Sequence, residues 1–298
     1  MSSFTAHLLY FVETDYKSMQ QDRFFLPKTR LDAMQQKGYF LWPMEVLKQV
    51  FQTLTEDKGR LVFPFLFLLG LAEVVSMFGY WAVWLLNVFL DPFVVAFVLF
   101  QLMNKRVQLQ TDFAGLIKAR WQALLGMNVL YYLILLVIAS PIIFTLWNYN
   151  ILDQFDQEGF DINAALEALP EHISMIFSIV LFAILYLLIS FWWSTILVLF
   201  FDLSPMEAIR KSFLLVNKRL GRQINIALFI GLIFLLIQTF IASFIGLPSW
   251  AQKAIGLVSM GFLNVYIYIM IFETFAQAYF YLPVVIKQKE KEELGNQD

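Results

Sequence analysis

Three carboxylates stand inside otherwise apolar runs: Glu73 in LGLAEVVS, Asp91 in VFLDPFVV and Glu273 in MIFETFAQ. An ionisable side chain in the middle of a membrane helix costs about 2.5–3.5 kcal/mol on insertion scales, so such groups mark packing devices or working sites. Glu73 lies 13 residues after Arg60, Asp91 lies 14 before Lys105 and Glu273 lies 14 before Lys287. At about 1.5 Å of rise per residue, all three are expected about 20 Å from the same boundary. Gln277, one helical turn from Glu273, adds an amide to the same face, and Pro92 interrupts the helix beside Asp91. No Lys or Arg is expected at that depth, so the acids must be neutral, hydrated or bound to a cation. Two readings follow. Either they are hydrogen-bonded packing groups between helices, or Glu73, Asp91, Glu273 and Gln277 form a pocket for a proton, a cation or a polar headgroup.

The elements that must position these groups follow from composition. The chain of 298 residues is 60% hydrophobic and 15% charged, against about 45–50% and about 25% for soluble domains. Runs of roughly 20 apolar residues suit helices crossing a bilayer, and the alternation of a membrane barrel is absent. Six spans are expected, at 61–80, 81–103, 121–147, 175–201, 223–246 and 257–285, after an N-terminal segment 1–42 and before a tail 286–298. With six spans both termini share a side, and 20 of the 21 Lys and Arg fall on it; only Lys253 lies opposite. The positive-inside rule then places both termini in the cytoplasm. The first forty residues carry no apolar h-region, so the first span is expected to serve as the insertion signal. There are no cysteines, which excludes disulfides and thiolate sites. The loop 148–174 carries six acids and no base and is expected on the outer face with a short helix near 162–169. Trp81, Trp84, Trp147, Tyr149 and Trp250 suit the outer interface.

One line is written twice, 162 positions apart: WPMEVLKQVFQTLTEDKGR at 42–60 and SPMEAIRKSFLLVNKRLGR at 204–222. In the second copy Met206, Ile209, Phe213, Val216 and Leu220 fall on one helical face, with Arg210, Lys211, Asn217 and Lys218 on the other. Ser204 suits the N-cap, Pro205 the first turn and Glu207 a capping box, while Gly221 is expected to end the helix. The first copy aligns Met44, Leu47, Phe51 and Leu54 but has Trp42 where the capping serine would be. A fainter third line, TDFAGLIKARWQAL, precedes the third span. The expected fold class is therefore an all-α polytopic membrane protein: six transmembrane helices as three hairpins, each preceded by a cytoplasmic amphipathic interfacial helix. Arg210, Lys211, Lys218, Arg219 and Arg222 are expected to face anionic lipid headgroups or a partner protein.

A span ending in Phe201-Asp202-Leu203, followed by SPMEAIRKSFLLVNKRLGR and a new span, resembles bacterial six-span inner-membrane proteins similar to the membrane domain of glycerophosphoryl diester phosphodiesterases, the YciC-like group among them. The likeness covers roughly residues 185–245 and implies a shared helical membrane module. It does not bring the family's catalytic domain, because the chain has two histidines, His7 and His172, and no soluble segment long enough for a barrel. The acidic outer loop departs from that family picture. No phosphate loop, dinucleotide fingerprint, nucleophile elbow or metal-ligand cluster occurs, and no cofactor or nucleic-acid partner is expected. Two functions are carried forward: a non-enzymatic protein handling a lipid-like or small polar solute through the acidic pocket, or a scaffold whose basic helices and acidic loop bind membrane-protein partners or a second copy of the chain. A membrane-embedded lipid enzyme is the least supported class.

Overall fold

The structure, a computed structural model, describes residues 25–57, 59–109, 111–148, 170–244 and 246–280. All regular elements among them are helices: α1 (Lys28–Lys37), α2 (Pro43–Asp57), α3 (Val62–Ser76), α4 (Tyr80–Val107), α5 (Phe113–Asn148), α6 (Glu171–Phe191), α7 (Ser194–Phe200), α8 (Pro205–Asn217), α9 (Leu220–Ala242) and α10 (Ser249–Phe280). Most of the acidic loop, the N-terminal 24 residues, the tail, the final turn of the sixth expected span and the His172 side chain lie outside the described residues. Five helices are long and apolar enough to cross a membrane, or six if α2 and α3, which meet at 81°, count as one bent span. These lengths fit a multi-pass membrane protein.

Prolines shape two of the long helices, and in each case the carbonyl they release finds a donor. Pro92 has no N–H for the Val88 carbonyl one turn back, and Asn128 of α5 donates to that oxygen through Nδ2 at 2.7 Å. Pro141 likewise releases the Val137 carbonyl, which accepts from the Ser140 hydroxyl at 2.7 Å. The turn between α3 and α4 passes through Gly79 at φ 102°, a conformation open to glycine. Gly261 lets α10 approach α3 closely, since a Cβ there would stand 2.6 Å from Leu66.

Packing is concentrated at one end of the bundle. The last four turns of α10, α7, the second half of α4 and the buried face of α8 form a continuous core with Leu31, Met34, Tyr39 and Leu41. Toward the other end α5, α6 and α9 expose Val137, Phe144, Phe182, Leu228 and Leu235. Helices α4 and α10 are central, while α5, α6 and α9 are peripheral. Consecutive helices α3/α4, α5/α6 and α9/α10 pack on one another, α10 also packs on α3 and α4, and α4 packs on α5. The seam between α6 and α9 is the sparse one.

Several expectations are revised. The third line is no separate helix: it is the first stretch of the 36-residue α5, because nothing between Phe113 and the apolar run breaks the backbone ladder. The fourth expected span divides at Trp192-Trp193 into α6 and α7. The Ser204 capping box forms as read from the sequence, whereas Gly221 does not end a helix: α8 stops at Asn217 and Gly221 lies in the first turn of α9. The face that α8 buries is Ala208, Ile209, Ser212, Leu215 and Val216, held against α5, α6 and α7, which leaves Met206 exposed. On α2 the buried face is Val46, Val50 and Asp57, and Met44 and Phe51 are exposed.

Candidate functional site

The four residues expected to share one pocket occupy three different settings. Glu73 is exposed on α3. Glu273 is buried on α10 and forms an ion pair with Arg106 of α4, while Thr53 Oγ1 of α2 donates to its other oxygen at 3.3 Å. The expectation that no base reaches these acids therefore fails at Glu273. Counting back from Lys287 assumed that α10 leaves the apolar layer near its C-terminus. Instead, its last described turns stay buried in the core, beside the end of α4, where Arg106 sits. Gln277 Oε1 accepts from the Trp42 backbone N–H at 2.7 Å, so this amide caps the entry to α2.

The bases assigned to headgroups are also largely occupied within the protein. Arg219 Nε donates to the Tyr39 carbonyl at 3.0 Å and Arg222 Nη1 to the Leu41 carbonyl at 2.6 Å, with the Arg222 guanidinium over the Phe40 ring. Between them the Tyr39 hydroxyl donates to the Leu215 carbonyl at 3.0 Å and accepts from Gln223 Nε2 at 3.1 Å. Burial pushes the Tyr39 phenol up from its usual range, which keeps it a hydrogen-bond donor. Lys211 pairs with Asp32 of α1. Arg210 and Lys218 are exposed. Arg120, in the faint third line, pairs with Asp202 at 2.6 Å and donates to the Val198 carbonyl at 3.0 Å, holding the turn that leads into α8. In that turn Asp202 has φ 51°, and its carbonyl accepts from Lys28 Nζ at 2.9 Å.

Asp91 is the acid that faces open space. It lines a cavity of about 530 Å³ enclosed by α4, α5, α6, α7, α9 and α10. Its carboxylate makes no hydrogen bond or ion pair among the described residues, and it is the only charged side chain on the cavity wall there. Pro92 does not interrupt α4 as expected: the helix runs unbroken from Tyr80 to Val107. The Asn128 hydrogen bond to the Val88 carbonyl satisfies the group that the proline leaves free, one turn before Asp91. Around it stand Tyr131 and Tyr132 of α5 and Tyr268 of α10, whose hydroxyls have no partner among the described residues. The rings themselves are held: Tyr268 stacks on Phe65 at 5.5 Å, Tyr131 meets Phe191 edge-on at 6.3 Å and Tyr132 meets Trp84 edge-on at 6.3 Å. The remaining wall is mainly aliphatic, including Leu185, Leu188, Ile230 and Ile271. Leu185, Leu188 and Phe234 are also partly exposed on the outside of the bundle, so the cavity meets the surface at the sparse seam between α6 and α9.

Sequence reasoning found Asp91 and Pro92 but not the three tyrosines, which belong to two helices far apart in the chain. It also missed Arg106 and Arg120, which read as loop charges. The signal that could have found Asn128 is a buried amide opposite a mid-helix proline, a pairing visible only once two helices are laid side by side. Among the described residues no group of three or more His, Asp or Glu is arranged to hold a metal ion. No family model matches the chain, and no curated protein or solved structure is significantly similar to it.

Proposed function

We propose that this chain is a multi-pass inner-membrane protein that takes a lipid-like or small polar solute from the bilayer into the cavity around Asp91, by binding and transfer rather than catalysis. The observation that carries this reading is an unpartnered carboxylate inside a cavity of about 530 Å³ whose walls are mostly aliphatic and aromatic. Ligand sites of that size combine apolar walls with a few polar groups that fix orientation. A carboxylate held there is costly unless something polar or charged joins it. The sparse α6–α9 seam supports lateral entry, with Leu188 and Phe234 at the mouth.

In this reading α3/α4, α5/α6–α7 and α9/α10 are three transmembrane hairpins, and the Lys- and Arg-rich end is cytoplasmic. Helices α2 and α8 lie at the inner leaflet, where the exposed Met44, Phe51 and Met206 reach the acyl layer. Arg210 and Lys218, exposed on and just after α8, are then the bases left for anionic headgroups or a partner. The likeness of residues 185–245 to the six-span inner-membrane family agrees with this membrane module and supplies no activity.

Gly231 provides a direct test, because it lines the cavity and a Cβ built on it would meet nothing within 4 Å. Gly231→Phe is expected to fill the cavity while leaving the helices in place. Native mass spectrometry of protein released from nanodiscs made with native lipid should show a retained amphiphile in the unmodified chain and none in the variant. Identical ligand profiles for the two would overturn the reading.

A further inference from the structure

We infer that the cavity selects amphiphiles carrying an ammonium headgroup; this rests on the reading above and adds the chemistry of the ligand. The wall holds one carboxylate and no Lys, Arg or His among the described residues, so an ionised Asp91 has no base on the wall to compensate it and a bound cation would supply that charge. The arginines of the helices that carry Asp91 and the Tyr131–Tyr132 pair are committed elsewhere, Arg106 to Glu273 and Arg120 to Asp202. A phosphate or sulfate headgroup would bring like charge beside Asp91 and find no cation to receive it. An ammonium group gains the carboxylate together with aromatic faces, since Tyr131, Tyr132, Tyr268 and Trp192 all contribute to the wall. Aromatic rings attract alkylammonium groups through their quadrupoles, most strongly where water is excluded. The aliphatic residues of α6, α9 and α10 continue from this polar end toward the α6–α9 seam, a path suited to an alkyl chain leaving into the bilayer. An uncharged alcohol of the same chain length could use the tyrosine hydroxyls but would leave the carboxylate unpaired.

The test uses the full chain in nanodiscs of zwitterionic lipid and radiolabelled dodecyltrimethylammonium, with the Gly231→Phe protein setting the partition background. Dodecyltrimethylammonium, dodecanol and dodecyl sulfate are compared as unlabelled competitors. The expected result is a saturable site at which the ammonium compound competes at least about tenfold better than the alcohol, with the sulfate weaker still, and at which Asp91→Asn weakens binding by a similar factor. The competitor series runs on the unmodified protein, so it stands even if Asp91→Asn fails to fold. Equal competition by alcohol and ammonium would overturn the charge selectivity while leaving an amphiphile site. No saturable binding above the Gly231→Phe background would overturn both the selectivity and the site.

Discussion

The two copies of the repeated line build similar helices and satisfy the same backbone groups by different means. At the second copy the Ser204 N–H is received locally by Glu207 Oε2 at 3.1 Å, and the Ser204 hydroxyl accepts from the Glu207 N–H, so the helix start closes on itself. At the first copy the corresponding N–H belongs to Trp42 and is received by Gln277, 235 residues away on α10. Thr53 bonds Glu273, whereas its counterpart Leu215 is fully buried and its carbonyl receives Tyr39. Asp57 caps the Leu61 N–H at 2.7 Å and pairs with Lys105, while its counterpart Arg219 reaches back to the Tyr39 carbonyl. Gly59 sits at φ 82° in the bend between α2 and α3, while its counterpart Gly221 is helical. A repeated sequence thus sets where a helix can form, and the surroundings decide what holds it. The second copy starts itself and supplies the arms, Arg219 and Arg222, that hold the strand of chain entering the first.

This contrast orders the expected effects of substitution. The largest is at Arg106: replacing it by Met leaves the Glu273 carboxylate buried without its base and should cost about 3–5 kcal/mol, read as a lowered melting temperature of the purified protein in nanodiscs. Glu273→Gln keeps the shape and removes the charge, so its cost should be the smaller of the two. Gln277→Leu comes next, since it orphans the Trp42 N–H and should cost about 1–3 kcal/mol by the same measurement. Because Glu45 already stands three residues after Trp42, Trp42→Ser writes a local capping box into the first copy. In that background Gln277→Leu should become nearly silent. An undiminished cost there would mean that local capping and the Gln277 contact are not interchangeable.

Ser204→Ala should be milder, about 1 kcal/mol, the usual loss for an N-cap. It also carries a pH signature. The backbone N–H of Ser204, then its side chain, hold the Glu207 carboxyl below its ordinary range. A depressed carboxyl contributes stability above its unfolded value and loses it as the pH falls through the folded one. The difference between Ser204→Ala and the unmodified protein should therefore be present at neutral pH and shrink under acid conditions, below the normal carboxylate range. A difference constant across that window would show that Glu207 takes no part.

Much of this architecture was legible in the residues. The second expected span, 81–103, lies within Tyr80–Val107, and Ser204, Pro205 and Glu207 act as the cap that their order implies. Depth was not legible. Distances counted from the nearest flanking base assume that every helix leaves the core at the membrane boundary, and α10 instead stays among buried aromatic residues of the core through Phe280. Partner choice was equally hidden: nothing local in MIFETFAQ reveals that its carboxylate meets Arg106 or that its amide meets Trp42. The cavity was half visible. Asp91 beside Pro92 announces a special place in α4, but Tyr131, Tyr132 and Tyr268 read as ordinary span aromatics until α4, α5 and α10 are brought together.

The central claim is that the space around Asp91 is reached from the bilayer and occupied by an amphiphile. The most direct measurement is photocrosslinking in nanodiscs with an alkylammonium compound bearing a chain diazirine, followed by peptide mapping of the adducts. The account predicts adducts concentrated on residues 127–132, 188–195 and 227–234, removed by Gly231→Phe while background labelling of exposed Phe63, Val137 and Phe182 persists. Labelling spread over the exposed apolar surface alone, unchanged by Gly231→Phe, would contradict it.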